Sequence, residues 1–435
     1  MRILLALALL AFPAAALARV APEERRMVAA VDAEQARNIA LLERLVNQNS
    51  GSLNLEGVRA VGQLVRAELE PLGFEVRWVD MAETGRAGHL IATHRGRGRG
   101  RGRNILLIGH LDTVFEPDSP FQRFSREGNR ATGPGIGDDK GGIVVIVAAL
   151  RAMHAAGTLR DANVTVVLTG DEERTGSPIA VARRDLIEAG RIAAYALEFE
   201  NLATVDGRDH GSVARRSSTN WTLTARGRTG HSSGVCGAQL GCGAIYEVAR
   251  ILDAFRRELA EPNLTYNVGV MAGGTPAALD ASGFRGSASG KTNIVAETAV
   301  ARGDLRSLTP EQDARARARM QAIVAQHLPN TSAELVFGED GYPPMAPTEG
   351  NRALLARLNA VNRDLGLAEM PELDPARRGA ADSAFVAADV DTLAGMGAAG
   401  GNTHAEGEWV ELDSITRQAK RTAILITRLT RERAR

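Results

Sequence analysis

Cysteine is nearly absent from the 435-residue sequence, which contains only Cys236 and Cys242. Two cysteines exclude both a disulfide-based scaffold and a cysteine-rich zinc module. A metal site in this protein must therefore be built from histidine and carboxylate side chains. The sequence leaves open whether the two cysteines pair within their short loop.

The sequence also lacks an excess of charge of either sign, because 52 lysines and arginines balance 52 aspartates and glutamates. A net charge of zero gives no global electrostatic reason to bind nucleic acid or an anionic membrane surface. The one low-complexity segment, RGRGRGRGR at residues 95–103, contains no aromatic residue and lies between two predicted strands. This pattern favours a solvated hairpin loop over a nucleic-acid-binding segment, so we expect no nucleic-acid partner.

A long apolar run occurs only at the N-terminus. Arg2 gives a positive start, residues 3–11 are apolar, and an A-x-A pattern at residues 16–18 follows Pro13. A membrane anchor is the alternative, but the run is shorter than the roughly 18 residues of a spanning helix. The sequence therefore predicts a signal peptide over residues 1–18 and an exported protein, periplasmic or secreted, with no stable membrane span after cleavage.

The first half of the mature sequence alternates short apolar segments with longer helical patterns. An opening helix is predicted over residues 22–48, and buried strands over residues 104–110, 163–170 and 193–199. Residues 141–157 are predicted to form a helix that closes on a glycine. This alternation predicts an α/β fold whose catalytic domain has a mostly parallel mixed sheet flanked by helices.

From about residue 212 the pattern changes. Further strands are predicted over residues 221–226, 266–271 and 294–305, and helices near residues 244–259, 309–328 and 413–433. We expect residues 212–335, here called the insert, to form a separate α+β domain. Residues 19–211 and 336–435 are then the two parts of the first domain.

Potential metal ligands follow the predicted strands. His110 and Asp112 come at the end of the first, and residues two apart in an extended chain point the same way. Asp112 could therefore orient the imidazole of His110, as carboxylates do for metal-bound histidines. Taken alone, this pair is more typical of a hydrogen-bonded structural histidine than of a metal ligand.

Adjacent carboxylates, Asp138 and Asp139, follow a glycine-rich turn at the start of the predicted helix 141–157. A helix cap needs only one carboxylate, so the second has another reason to be there. A carboxylate on a glycine-permissive backbone can bridge two cations. A phosphate-binding loop is the weaker alternative, because acidic residues repel phosphate.

Carboxylates also end the other two strands. Glu172 and Glu173 follow the strand 163–170, and Glu198 and Glu200 lie at the end of the strand 193–199. Such runs are common on solvated turns. At the carboxyl end of a strand, however, one glutamate can ligate a metal while its neighbour acts as general base on metal-bound water.

Two histidines lie in glycine-containing turns, His404 near the C-terminus and His231 within the insert. Each is weak evidence by itself, since turn histidines are common. Because Ser232 and Ser233 follow His231, a serine hydrolase is one alternative, which we disfavour because we expect no nucleophile elbow in this chain.

Taken together, six motifs resemble the M20 family of dinuclear zinc metallopeptidases, and the glutamate carboxypeptidase branch in particular. In chain order the motifs are GHLDTV, GPGIGDDKGG, GDEERTGS, FEN, TGHSSG and GGNTHAEGEWV. The resemblance implies a catalytic α/β domain into which the insert is placed as a lid or dimerisation domain. It also allows a homodimer through the insert.

The resemblance implies a role for each matching residue. The metal ligands would be His110, Asp138, Glu173, Glu200 and His404, with Asp138 bridging two zinc ions. Glu172 would be the general base, Asp112 would orient His110, and His231 would stabilise the oxyanion. Asn293 and Arg306 would receive the substrate's carboxylate. The same ligands also suit Co²⁺ or Mn²⁺.

The implied activity is a metal-dependent exopeptidase that hydrolyses the amide bond to a C-terminal amino acid, acting on a small peptide or an N-acyl amino acid. An aminopeptidase, a dipeptidase or an N-acyl amino acid deacylase of the same family is the alternative. Tyr342 stands where the glutamate-releasing branch has an arginine, so the released residue stays open. A binding protein without turnover is disfavoured, because every ligand and the base are present.

Overall fold

A computed structural model describes residues 20–97 and 103–432. The predicted signal peptide and the centre of the Arg-Gly segment lie outside the described residues. Among the helices that are described, none combines the length and the apolar character needed to cross a membrane.

The described residues form helices and strands that are numbered here in chain order. The helices are α1 (Pro22–Ala33), α2 (Gln35–Asn47), α3 (Leu55–Leu69), α4 (Gly142–Ala156), α5 (Ile179–Ala182), α6 (Arg184–Ile192), α7 (Ala244–Glu258), α8 (Pro310–Val324), α9 (Glu349–Asp364) and α10 (Leu412–Arg431). The strands are β1 (Glu75–Asp80), β2 (Gly88–His94), β3 (Asn104–His110), β4 (Ser125–Glu127), β5 (Arg130–Thr132), β6 (Asn163–Thr169), β7 (Tyr195–Glu198), β8 (Ala203–Val205), β9 (Arg208–His210), β10 (Thr219–Gly227), β11 (Thr265–Gly274), β12 (Ala277–Leu279), β13 (Gly286–Ala288), β14 (Thr298–Arg306), β15 (Thr331–Phe337), β16 (Thr392–Leu393), β17 (Gly400–Gly401) and β18 (Trp409–Glu411).

The main sheet has six strands in the order β1-β2-β6-β3-β7-β16. Its last four strands are parallel to one another, whereas β2 pairs antiparallel with both β1 and β6. The predicted mostly parallel mixed sheet is therefore confirmed. Helix α4 packs beside this sheet and is buried over nearly its whole length, as expected for a helix that is apolar all round.

Two local predictions were wrong. The Arg-Gly segment does not join a hairpin, because β6 lies between β2 and β3 in the sheet. Sequence adjacency could not show that a later strand inserts between two consecutive ones. The opening helix is also divided into α1 and α2, since the backbone of Glu34 leaves the helical region.

The insert contains a second, antiparallel sheet in the order β11-β14-β10-β15. Its own apolar core centres on Trp221, which packs edge-on against Phe255 of α7. Strand β15 continues to Phe337, two residues past the predicted end of the insert. Cys236 and Cys242 form a disulfide, which answers the question that the sequence left open.

The two chain segments that connect the insert to the main sheet run side by side. Ser218 and Tyr342 exchange backbone hydrogen bonds, and so do Arg215 and Met345. Both connections are thereby tied together, close to the edge of the main sheet.

Candidate metal centre

The carboxyl ends of β3, β6 and β7 meet at one edge of the main sheet. His110 is in register with Thr169, and Ile108 is in register with Glu198. Because these strands are parallel, the residues that follow each of them converge there. This edge brings together seven of the predicted site residues: His110, Asp112, Asp138, Glu172, Glu173, Glu200 and His404.

His110 is buried at the end of β3, between two aspartates. Its Nε2 lies 2.9 Å from Asp138 Oδ1, and its Nδ1 lies 3.1 Å from the carbonyl oxygen of Asp112 and 3.4 Å from the carboxylate Oδ1 of Asp112. Burial opposes the charged imidazole, but hydrogen bonds to Asp112 and Asp138 raise the pKa of His110 well above its ordinary value. A ligating imidazole is neutral, so metal binding would displace this proton.

Asp112 is fully buried and holds more than His110 in place. Its carboxylate accepts hydrogen bonds from Ser52 Oγ at 2.6 Å and from the backbone N–H groups of Glu172 and Glu173 at 3.0 and 3.1 Å. One carboxylate therefore positions the loop after β6 and lies against the ring of His110.

The two oxygens of Asp138 face different histidines. Oδ1 lies 2.9 Å from His110 Nε2, and Oδ2 lies 3.1 Å from His404 Nε2. His404 Nε2 is also 3.0 Å from Glu173 Oε2. Hydrogen bonds to Asp138 and Glu173 raise the pKa of His404 to about 11. Asp138 thus lies between His110 on one side and the pair of His404 and Glu173 on the other.

Glu172 and Glu200 lie on the His110 side of Asp138. One ligand atom each from His110, Glu172 and Glu200 lies within 4.8 Å of the others. Burial raises the pKa of Glu172 well above its ordinary value, and the charge of Glu200 adds to the effect. Burial likewise raises the pKa of Glu200 to about 8, although Arg215 opposes this. A carboxyl group with a raised pKa is suited to taking and returning a proton.

The comparisons with known proteins give the family. Residues 106–428 match the peptidase family M20/M25/M40. The chain belongs to this family. The predicted family is thus confirmed, and the M20 protein is a metallopeptidase, a class of hydrolase.

Relatives of this M20 peptidase differ in activity. It is 27% identical over 402 residues to carboxypeptidase G2 of Pseudomonas sp. (strain RS-16), covering 90% of this chain and 89% of that protein. It is 27% identical over 297 residues to succinyl-diaminopimelate desuccinylase of Gluconobacter oxydans (strain 621H), covering 66% of this chain and 71% of that protein. Its fold is similar to that of aminopeptidase PepT from Bacillus cereus ATCC 10987, with a TM-score of 0.71 and 19% sequence identity. The match covers 91% of this chain and 98% of that chain.

The donor atoms of the M20 peptidase fit metal ions. Histidine nitrogens and carboxylate oxygens are ligands for zinc and for similar divalent metals. Glu173 Oε1 is buried and has no hydrogen-bond partner within the described residues. A buried carboxylate oxygen without a partner is costly, and a cation would satisfy it. His110, Asp138 and Glu173 also have ligand atoms within 4.8 Å of one another.

Sequence reasoning missed Glu408, which holds the glycine-rich turn before Asp138. Its buried carboxylate accepts backbone N–H groups from Gly135, Gly137 and Asp138 at 3.1, 2.8 and 3.0 Å. Burial raises the pKa of Glu408 to about 7. The signal that could have found it is its position in the motif GGNTHAEGEWV, four residues after His404.

Sequence reasoning also missed Arg215, which is buried beside Glu200. Its Nη2 lies 2.6 Å from Glu200 Oε2, and its Nη1 lies 3.1 Å from Glu198 Oε1. It further donates to the carbonyl oxygens of Gly379 and Ala380 at 2.9 and 3.2 Å. No local pattern in the sequence distinguishes Arg215 from a surface arginine.

A third group missed from the sequence lies behind Glu172. The buried Arg183 pairs with Asp171 at 2.6 Å and with Asp382 at 2.7 Å. Its Nη2 donates at 2.9 Å to the hydroxyl of Tyr342, which in turn donates to the carbonyl of Glu172 at 3.1 Å. Tyr342 therefore supports the backbone of the predicted base.

Three predicted residues of the insert make no direct contact with this cluster in the part of the chain that the structure describes. Within the described residues, His231, Asn293 and Arg306 form no hydrogen bond or ion pair with the metal-centre residues and do not line the cavity beside them. The Nε of Arg306 instead donates to Asp304 at 2.8 Å. Their roles at the site stay predictions.

The insert also contains a G-x-S-x-G sequence at residues 230–234. A serine nucleophile elbow needs a strand that turns directly into a helix. Here Ser232 begins only a three-residue helical turn. His231 Nδ1 lies 2.9 Å from Ser233 Oγ, and within the described part of the chain no carboxylate contacts His231. This arrangement argues against the serine-hydrolase alternative.

Proposed function

We propose that this M20 peptidase is a metal-dependent exopeptidase that hydrolyses the amide bond to a C-terminal amino acid. The observation that carries the proposal is Asp138, whose oxygens face His110 at 2.9 Å and His404 at 3.1 Å. A carboxylate placed in this way suits a bridge between two metal ions. The chain-long similarity to a carboxypeptidase supports the direction of cleavage.

The proposed ligands divide into two groups that share Asp138. His110 and Glu200 complete the first group, and Glu173 and His404 complete the second. Two bound metal ions, for which zinc is proposed, would lower the pKa of a water molecule and polarise the scissile carbonyl. Co²⁺ and Mn²⁺ are the alternative metals, because the same donor atoms suit them.

Glu172 is the proposed general base. It takes the proton of the attacking water and delivers it to the nitrogen of the leaving amine. Asp112 keeps the ring of His110 oriented through its carbonyl oxygen at 3.1 Å and its carboxylate at 3.4 Å, and the carboxylate also accepts a hydrogen bond from the backbone N–H of Glu172. His231 is proposed to stabilise the negative charge that develops on the carbonyl oxygen.

Arg306 and Asn293 are proposed to receive the substrate's α-carboxylate. A guanidinium suits a carboxylate because it offers parallel N–H donors. A small peptide or an N-acyl amino acid meets this requirement.

Residues 212–335 are proposed to act as the lid or dimerisation domain, and residues 19–211 and 336–435 as the catalytic domain. A homodimer would use the insert, whose edge strand β11 exposes Val268 and Met271. The signal peptide over residues 1–18 and export to the periplasm or the medium also stay proposals. The disulfide supports export, because disulfides persist in oxidising compartments.

The test is amine release from a matched panel by the purified, zinc-loaded mature protein. The panel contains N-acyl-glutamate, N-acyl-alanine, dipeptides and aminoacyl amides, and the Glu172→Gln protein is the control. A requirement for a free substrate carboxylate supports the exopeptidase proposal. A preference for amides with a free amino group overturns it and makes the protein an aminopeptidase.

A further inference from the structure

A second arginine, Arg378, lines the cavity of the metal centre. Arg378 follows the short helical turn Pro375–Arg377, and its Nε and Nη2 are buried with no hydrogen-bond partner in the described chain. A guanidinium stays charged and offers five donors. A buried charge without a partner is costly, so such a group normally has a ligand.

The absence of a side chain at Gly395 leaves space for the guanidinium of Arg378. A Cβ atom at Gly395 would lie 3.0 Å from Arg378 Nη2 and 3.1 Å from Ser212 Oγ. Gly395 also has a positive φ of 75°, which disfavours any other residue there. The glycine therefore leaves room for the arginine.

The nearby carboxylates are already committed to another cation. Glu198 and Glu200 bind Arg215, at 3.1 and 2.6 Å. Arg215 also donates to the carbonyl oxygens of Gly379 and Ala380, the two residues after Arg378. Arg215 thus forms ion pairs with the two nearby glutamates and holds in place the backbone next to Arg378. The positive charge of Arg378 is left for a group from outside the chain.

Arg378 lines the same cavity as the proposed metal ligands Asp138, Glu200 and His404. This cavity measures about 370 Å³, within the usual range for a small-molecule site. Arg377 also lines this cavity and is exposed. The cavity therefore contains basic side chains as well as the carboxylates, whereas Arg306 is paired with Asp304 and is not among its lining residues.

We infer that Arg378 binds a second carboxylate of the substrate, which makes the preferred substrate a dicarboxylic amide. This rests on the proposed function, in which Arg306 receives the α-carboxylate. The second carboxylate has two sources with the same chemistry. It belongs either to an acidic side chain of the released amino acid or to the far end of a dicarboxylic acyl group.

Matched substrates separate the two sources. The zinc-loaded mature protein is assayed with N-acetyl-glutamate against N-acetyl-glutamine, and with N-succinyl-alanine against N-butanoyl-alanine. The members of the first pair differ in one carboxylate at nearly constant size, and in the second pair a terminal carboxylate takes the place of a methyl group. We expect the acidic member of one pair to have a kcat/KM about 10- to 100-fold higher than its neutral partner. The pair that shows this preference identifies the source.

Variants assign the preference to Arg378. In Arg378→Met the acidic substrate should lose that 10- to 100-fold advantage, while hydrolysis of the neutral partner persists and shows that the protein is folded. Arg378→Lys should restore part of the advantage, since a lysine keeps the charge but not the paired donors. Arg363→Met, which removes an exposed arginine on α9, is the control for a general loss of positive charge.

Each other outcome overturns the inference. Equal hydrolysis of acidic and neutral partners by the unmodified protein does so, and so does an equal loss on both partners in Arg378→Met. Failure of the proposed function looks different, because then the unmodified protein releases no amine from any member of the panel, or the Glu172→Gln protein is as active as the unmodified one.

Discussion

The Nη2 atom of Arg215 lies 2.6 Å from Oε2 of Glu200, the carboxylate proposed to complete the first metal group. A charged hydrogen bond of this length orients the carboxylate, so that its other oxygen is left for the metal. The same arginine holds Glu198 at 3.1 Å. Arg215 therefore connects the end of β7 to the cavity wall that carries Arg378.

We first predict that Arg215→Met weakens metal binding about 10- to 100-fold, the usual effect of losing a group that orients a ligand. Metal affinity is measured by competition with a chromophoric chelator. Arg215→Lys should lose less, because the charge remains beside Glu200. Unchanged metal affinity in a folded Arg215→Met protein would show that Glu200 needs no support.

Second, Glu172→Gln should lower kcat by about 100- to 10,000-fold, because the amide cannot accept the proton of the attacking water. The metal content of the variant, measured by atomic emission, should equal that of the unmodified protein. This measurement distinguishes a base from a ligand, a distinction that matters because Glu172 lies within 4.8 Å of ligand atoms of His110 and Glu200. Loss of one metal ion per chain would contradict the assignment as base.

Third, removal of metal by a chelator should abolish amine release, and addition of zinc should restore it. The metal-free protein should also melt at a lower temperature, because an ion that binds only the folded state stabilises it. The comparison protein is Glu173→Gln, which lacks one proposed ligand and should gain less stability from zinc. An active protein that contains less than one equivalent of any transition metal would overturn the metal mechanism.

Fourth, Asp209→Asn should lower the free energy of unfolding by about 1–3 kcal/mol at pH 7. Asp209 of β9 binds Arg421 and Arg417 of α10 at 2.7 and 3.1 Å. Burial opposes ionisation, but these two arginines outweigh it and hold the pKa of Asp209 below its ordinary value of 3.8.

The pH dependence of this difference has a defined sign. Because the pKa of Asp209 is lowered on folding, its stabilising effect is present above about pH 3.8 and is lost as the pH falls below that value. Urea titrations of both proteins between pH 7 and pH 3 test this. A difference that stays constant down to pH 3 would show that the ion pairs do not cause it.

Much of the fold followed from local patterns in the sequence. The run from Asn104 to His110 is a buried strand because residues 105–108 at its centre are all apolar, and α4 ends at Gly157 because that glycine adopts a positive φ of 79°. Parallel strands also place their carboxyl ends together, which is why His110, Glu173 and Glu200 could be predicted to share a site. The order of the strands in the sheet could not be predicted, because the position of β6 between β2 and β3 depends on pairing between segments that are distant in the sequence.

The sequence by itself determined which residue types could bind metal and the family to which the chain belongs. Only the tertiary structure decided what holds those residues in place. Glu408 lies more than 260 residues along the chain from the turn whose N–H groups donate hydrogen bonds to it. Arg215 forms ion pairs with Glu198 and Glu200, which precede it in the chain and end another strand. Buried charges need partners, and folding alone shows that Arg215 has them, whereas the buried Nε and Nη2 of Arg378 have none among the described residues.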